Sequence, residues 1–420
     1  MFKLIFVSLI STILFQSISF TYSLPEPIVP KEFVLASNTF GINLFHRKSL
    51  ENEQQQKQRE NIFLSPFSVS IIMAMLQQGS NGETFDQINY VSNFKMANVD
   101  NKERLAQQSL KLIEQLSQLD SNGLNKLSLK MANALMINKN YRIRENFNET
   151  MFRYFDSELL EADFIRESEL VMATINHWCS ARTNGMIENF LRQPPSQTTQ
   201  MALINAIYFK GNWRNRFQVN QTMPGTFYGL NNETYDDVLF MKRQGRVSQT
   251  YLTELESHLV EFPYEGEDVS MFAILPKQSS SKNLMYIRKA LNPWYIESII
   301  SRLSEEDNDA TVVFPKLRIM GKYDLKETLK DMGLVNIFEF GRADLSGITE
   351  DLPIAVDDVR HQALIDINED GTEAAASTYI GFVKMSLQPS SIYKFDHPFI
   401  LFIRHNLSGQ LLFLGEIHKP

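Results

Sequence analysis

Ile365-Asp366-Ile367-Asn368-Glu369-Asp370-Gly371-Thr372-Glu373-Ala374-Ala375-Ala376-Ser377-Thr378-Tyr379-Ile380-Gly381-Phe382-Val383 decides how this 420-residue chain is read. Ala363, Ile365 and Ile367 alternate with Leu364, Asp366 and Asn368, the period of a strand. Glu369-Asp370-Gly371 reads as a turn. The residues that follow are small and, after Glu373, uncharged; they have neither turn chemistry nor the bulk of a core strand. Drawn out as a strand, they put Thr372, Ala374, Ala376, Thr378, Ile380 and Phe382 on one face. Such a face suits a segment that must slide between two strands already packed together, where bulk would clash and charge would cost burial energy. A flexible Ala/Ser linker is the plainer reading. It does not explain why the run turns apolar at Ile380, Phe382 and Val383 and feeds directly into terminal core strands.

Outward from that stretch, strand and helix patterns interleave with no internal repeat and no interdomain linker, which predicts one large mixed domain of α+β class. Residues 203–209 have no polar alternation and read as a buried strand; 311–314, 399–403 and 411–414 read as strands too. Ser65 can cap a helix that Pro66 opens, and residues 69–76 are apolar on nearly every face, so this helix is expected to be buried. Leu105, Leu112, Ile113 and Leu116 mark another helix. The polar run 51–58, rich in Gln and Glu, is expected to be an exposed loop.

Composition narrows the function. With 43% hydrophobic and 21% charged residues, the chain is neither disordered nor collagen-like nor a multi-spanning membrane protein. Its 49 acidic against 41 basic residues give a net charge of -8, which argues against binding nucleic acid through bulk charge. Residues 1–23 carry one charge, Lys3, ahead of an apolar run and then small and polar residues. That is the form of a secretory signal peptide, and the run is too short and too interrupted for a membrane span. Cleavage near Ser23 leaves 24–420 as the mature, extracellular chain. Four glycosylation sequons, at Asn148, Asn220, Asn232 and Asn406, fit that address. Cys179 is the only cysteine, beside Trp178 in an apparent helix, and is expected to be a buried packing residue with no disulfide partner. No nucleophile elbow, zincin helix, P-loop or dinucleotide fingerprint occurs, and no Cys pair could complete a zinc site; no catalytic residue, metal or cofactor is assigned.

Ordered motifs along the mature chain resemble those of the serpin family of serine protease inhibitors. They are Asn61-Ile62-Phe63-Leu64-Ser65-Pro66-Phe67-Ser68, Gly79-Ser80-Asn81-Gly82-Glu83-Thr84 with Gln87, Asn176-His177-Trp178 with Thr183-Asn184-Gly185, Asn205 to Trp213, Phe314-Pro315-Lys316, Asp344-Leu345-Ser346-Gly347-Ile348 and Asp396-His397-Pro398-Phe399. The resemblance implies a single domain of three β-sheets and eight or nine helices with an exposed reactive loop at about 371–394. It implies an inhibitor whose cut loop enters the main sheet as a new strand while the target protease is held as an acyl-enzyme, a covalent complex. Glu369, Gly371, Thr372, Glu373, Ala374, Ala375, Ala376 and Thr378 match the hinge of inhibitory members, whereas a non-inhibitory carrier tends to lose these small residues.

In typical inhibitory members the specificity residue lies fourteen positions beyond the hinge glycine, which gives Met385-Ser386 as the cut bond. Met385 suits an open hydrophobic specificity pocket of chymotrypsin-, elastase- or subtilisin-like enzymes. One residue of slippage would make Lys384-Met385 the bond and a trypsin-like enzyme the target. Ser65, Ser68, Asn205 and His361 match the polar cluster under the centre of the sheet, the shutter, and Trp213 matches the breach where the loop first enters. The expected partner is thus a target serine protease, met by a monomer, with no membrane or nucleic acid. A heparin-like glycan has little support: the helix near 103–118 carries only Arg104 and Lys111 amid acids and glutamines, leaving Lys242, Arg243 and Arg246 as an alternative basic patch.

Overall fold

A computed structural model describes residues 30–55, 60–121, 127–305, 310–351, 353–370 and 391–420. Among them nine α-helices and three sheets form an α+β fold. The main sheet holds β1 (Ser128–Asn138), β2 (Glu158–Ala162), β3 (Met201–Lys210), β4 (Leu317–Asp324) and β5 (Asp358–Ile367). Their spatial order is β4-β5-β3-β1-β2. β5 and β3 are parallel neighbours, paired from Asp358 opposite Ala202 to Ile365 opposite Phe209. β4 lies antiparallel to β5, and β1 antiparallel to β3. A second, all-antiparallel sheet has seven strands, including Phe399–His405 and Leu411–Ile417. A third has four: Met223–Tyr228, Thr234–Gly245, Ala310–Pro315 and Ile392–Lys394.

Nine of the ten residues of β3 are buried. Such a run without polar alternation belongs to a central strand covered on both faces. Helix α1 (Lys31–Gln54) and helix α2 (Pro66–Gly79) pack together on one side. Ser65 caps α2, its Oγ accepting the Ser68 N–H at 3.2 Å, and Pro66 takes the first helical position. Every α2 residue but Gln78 is buried, so this helix is core on all faces. Helix α3 (Ser168–Arg182) covers the opposite face of the main sheet, where Val171, Ile175 and Cys179 pack with Ala134, Ile204 and Leu364. At Gly321 of β4 a Cβ would sit 1.7 Å from the Phe63 carbonyl oxygen, so only glycine lets the two backbones approach this closely.

One expected loop is not one. Residues 51–54 form the last turn of α1, where Lys48 pairs with Glu51 at 2.6 Å and Glu53 binds Arg288. Glu and Gln are strong helix formers, and these ion pairs give their polar side chains partners without ending the helix. Residues 56–59 lie outside the described residues.

Candidate functional site

The polar residues singled out in the sequence converge under the middle of the β3–β5 seam. Asn205 and His361 are direct cross-strand neighbours. The Ser65 N–H donates to His361 Nε2 at 3.1 Å, which leaves the ring proton on Nδ1; that N–H donates to Asn205 Oδ1 across the seam. Asn205 Oδ1 also accepts the Ser68 hydroxyl at 2.9 Å. Its Nδ2 donates to Asn133 Oδ1 at 2.5 Å and to the Ser68 carbonyl at 3.5 Å. The Asn205 amide thus uses all four of its hydrogen-bonding positions. His361 and Asn205 each tie their own strand to the start of α2, and one bond joins the two strands to each other. The Tyr323 ring stacks on His361, while its hydroxyl accepts the Phe63 N–H at 3.0 Å.

Burial holds the His361 imidazole down to about pKa 3, so it is neutral at physiological pH. An unfolded His titrates near 6.5. Below that value the unfolded chain takes up a proton that the folded chain refuses, and stability falls as pH falls toward 3, by ~1.4 kcal/mol per pH unit for this one group. His405, held down to about 4 by burial and by the Arg404 charge, adds a loss of the same sign. Urea unfolding at pH 6 and pH 5 measures it: His361→Gln, which cannot titrate, is expected to show a shallower decline than the parent.

At the far end of the seam, about eight residues or ~26 Å along β5 from His361, the chain leaves the sheet under tight control. Trp213, which is 2% exposed, donates its backbone N–H to the Asp370 carbonyl at 2.8 Å and its indole Nε1–H to the Asn368 carbonyl at 2.9 Å. It stacks on Tyr264 with ring centroids 4.4 Å apart. The Phe217 N–H donates to the Glu369 carbonyl at 2.9 Å. The buried Glu369 carboxylate accepts from Lys316 Nζ at 3.0 Å and from the Thr222 hydroxyl at 2.8 Å, and Arg216 pairs with Asp370 at 3.4 Å. Burial pushes the Glu369 carboxyl up, but its own backbone N–H, Lys316 and Thr222 together outweigh that and hold it below the usual range. Glu369→Lys sets two ammonium groups against each other and strands the Thr222 hydroxyl. It is expected to lower stability by ~1–3 kcal/mol, the half-exposed Lys316 softening the effect. Equilibrium unfolding checks this, and Lys316→Glu in the same chain is expected to restore part of the loss.

Of the hinge only Glu369 falls within the described residues. Gly371, Thr372, Glu373, Ala374, Ala375, Ala376 and Thr378, the Lys384, Met385 and Ser386 positions and residues 1–23, expected to be a leader, lie outside them. Sequence reading missed Asn133, Tyr323, Thr222, Arg216 and Phe217, and gave Lys316 no role. A lone Asn inside an apolar strand was the signal for Asn133; the others carry none before the register is known.

Cys179 is buried and its thiol is pushed up to about 12, a packing residue rather than a reactive one. Of Lys242, Arg243 and Arg246, the middle residue is withdrawn from the surface. Arg243 is 5% exposed, with its guanidinium 5.7 Å from the ring centres of both Phe217 and Phe262. Arg104 is paired with Glu32 at 3.0 Å. Asn148, Asn220 and Asn232 are exposed. Asn406 is partly buried and spends its side-chain N–H groups on the Glu267 carbonyl at 2.8 Å and Ser270 Oγ at 3.0 Å, so this sequon does not suit a glycan. Among the described residues no helix is long and apolar enough to cross a membrane, and no cluster of His, Cys, Asp and Glu could hold a metal ion.

The family described as Serpin (serine protease inhibitor) matches residues 35–420. Iripin-1 of Ixodes ricinus is 31% identical over 403 residues, 94% of this chain and 100% of that protein. The leukocyte elastase inhibitor of Sus scrofa is 33% identical over 402 residues, covering 93% of this chain and all of the relative. The solved structure of mouse protein-Z dependent protease inhibitor superimposes with a TM-score of 0.80 at 25% identity, over 93% of this chain and 98% of that one.

Proposed function

The chain belongs to the serpin family and is a protease inhibitor rather than an enzyme; from that premise we propose that it is a secreted suicide-substrate inhibitor, consumed by a chymotrypsin-, elastase- or subtilisin-like protease that attacks Met385-Ser386. The observation that carries this reading is the β3–β5 pair. These two central strands are parallel, and the chain leaves β5 at Asn368-Glu369-Asp370 beside the open end of their seam. A strand returning from that point would run antiparallel to both. Its insertion would exchange one parallel pairing for two antiparallel ones, which are the more stable per residue, and would bury the small face of residues 372–382. The acyl-enzyme at Met385 would be carried along.

In this reading Ser65, Ser68, Asn205 and His361 are the shutter through which the strands part, and Trp213 with Glu369 holds the entry end. Met385 is unbranched and apolar, in keeping with the elastase in the pig relative's name. The leader at 1–23 and the exposed sequons Asn148, Asn220 and Asn232 support export. The test is to mix the protein with chymotrypsin, elastase and trypsin and look for a complex that survives denaturing electrophoresis, with mass spectrometry of the released C-terminal peptide. A complex with the first two and a peptide beginning at Ser386 is expected. Cleavage without a complex would rule the trapping mechanism out, and a peptide beginning at Met385 would move the target to trypsin-like enzymes.

A further inference from the structure

The α3 face of the main sheet carries a cavity of about 500 Å³ at the end of the seam remote from Trp213. Its floor is the seam itself: Ala202 and Ile204 of β3 lie opposite Asp358 and Arg360 of β5. The partly exposed Leu191, Pro194 and Pro195, from the segment between α3 and β3, give it an apolar wall, backed by the buried Phe164, Ile175 and Phe190.

The charges do not balance. Arg192, Lys322 and Arg360 face two carboxylates, Asp324 and Asp358. Both carboxylates are committed to Arg360, at 3.4 and 2.9 Å. Lys322 Nζ donates to the Asn189 carbonyl at 3.0 Å, and among the described residues neither Lys322 nor Arg192 has a carboxylate partner. Burial and the nearby Arg192 and Arg360 charges lower the Lys322 pKa, the mark of cations gathered without a counter-charge. Arg360 Nε is buried and has no acceptor among the described residues. A cavity of this volume is the size of a small-molecule pocket. An inorganic anion would answer the charge and leave the apolar wall unfilled; a neutral apolar compound would do the reverse.

We propose that this cavity binds an amphipathic carboxylate, its alkyl or aryl body against Leu191, Pro194 and Pro195 and its carboxylate between Arg192 and Lys322, and that the occupied cavity clamps β3 to β5 and slows opening of the seam. The clamp rests on the insertion reading above; the binding site does not. A ligand that touches both strands binds the closed sheet better than the opened one, and it shifts the balance by that difference in affinity.

Calorimetry on the full protein tests the site with decanoate, decanol and inorganic phosphate as probes. Decanoate is expected to bind at least about tenfold tighter than either of the others, and at least about tenfold tighter than it binds the Arg192→Gln, Lys322→Gln double variant. That variant is expected to keep or raise its thermal midpoint, since it removes like-charge repulsion, so weak binding cannot be put down to misfolding. Equal binding to parent and variant, or decanol or phosphate binding as well as decanoate, overturns the site. Saturating decanoate is then expected to raise the moles of inhibitor consumed per mole of protease by about threefold or more in the parent alone. An unchanged ratio overturns the clamp. A parent that binds decanoate but forms no protease complex with or without it overturns the inhibitor reading and leaves the site standing.

Discussion

Thr372→Arg turns the protein from an inhibitor into a substrate. Thr372 follows the hinge glycine and is the first residue of the small face that must enter the sheet. It would enter at the end of the seam where Ile365 pairs with Phe209, above a floor of packed rings: Phe209 against Tyr264 at 5.0 Å and Tyr264 against Trp213 at 4.4 Å. A guanidinium drawn into that layer trades water for packed rings, and the carboxylates at this end, Glu369 and Asp370, are already committed to Lys316 and Arg216, so the charge is buried unpaired at a cost of several kcal/mol. Each ~1.4 kcal/mol added to the insertion barrier slows it tenfold, while hydrolysis of the acyl-enzyme by water keeps its own rate. The moles of inhibitor consumed per mole of protease should therefore rise from about one to ten or more, with cut inhibitor replacing complex on the gel. Thr372→Ser, small and uncharged, is expected to behave as the parent. Unchanged stoichiometry in Thr372→Arg would show that this residue never enters the sheet.

Asn205→Ala loosens the closed sheet. The amide it removes is fully bonded, so the change leaves the His361 Nδ1–H, the Ser68 hydroxyl and Asn133 Oδ1 short of a partner in a buried site. Stranded buried polar groups cost about 1–3 kcal/mol each, and a network loses more than one pair at a time, so a loss of ~3–5 kcal/mol is expected in urea unfolding. The second consequence separates this residue from an ordinary core polar group. The Asn205–His361 bond exists only while the seam is closed, so its loss also lowers the barrier to opening. The variant is expected to lose inhibitory capacity on warm storage faster than the parent, as uncut loop enters its own sheet. Asn133→Ala removes one bond on the far side of Asn205 and is expected to cost ~1 kcal/mol with little change in storage life. Equal decay of the two variants would place the two asparagines in the same, merely structural, role.

The strands were legible because their apolar runs are long. Residues 203–209 lie inside β3, 399–403 and 411–414 inside two seven-residue strands of the second sheet, and the capped helix at Ser65-Pro66 runs to Gly79. Strand order was not. β3 and β5 are neighbours although more than a hundred residues separate them, and periodicity fixes which face a strand buries, not which strand lies beside it. For the same reason the link between Ser65 and His361, 296 residues apart, could come only from the family resemblance. Lys316 shows the limit most plainly. It stands in a motif that was read, yet its work is to neutralise Glu369, and that pairing depends on where the third sheet meets the exit from β5. The run at 51–54 misled in the other direction, because low complexity and polarity suit an exposed loop and a solvent-facing helix turn alike.

Trapping requires that the cut loop gain free energy as it becomes the strand between β3 and β5. Limited proteolysis at the 384–386 region, followed by calorimetric melting of the nicked and intact proteins side by side, measures that gain directly. The nicked protein is expected to melt about 10 °C or more above the intact one, where a nick in an ordinary surface loop leaves the midpoint unchanged or lower. A nicked protein that melts at or below the intact midpoint would contradict the account.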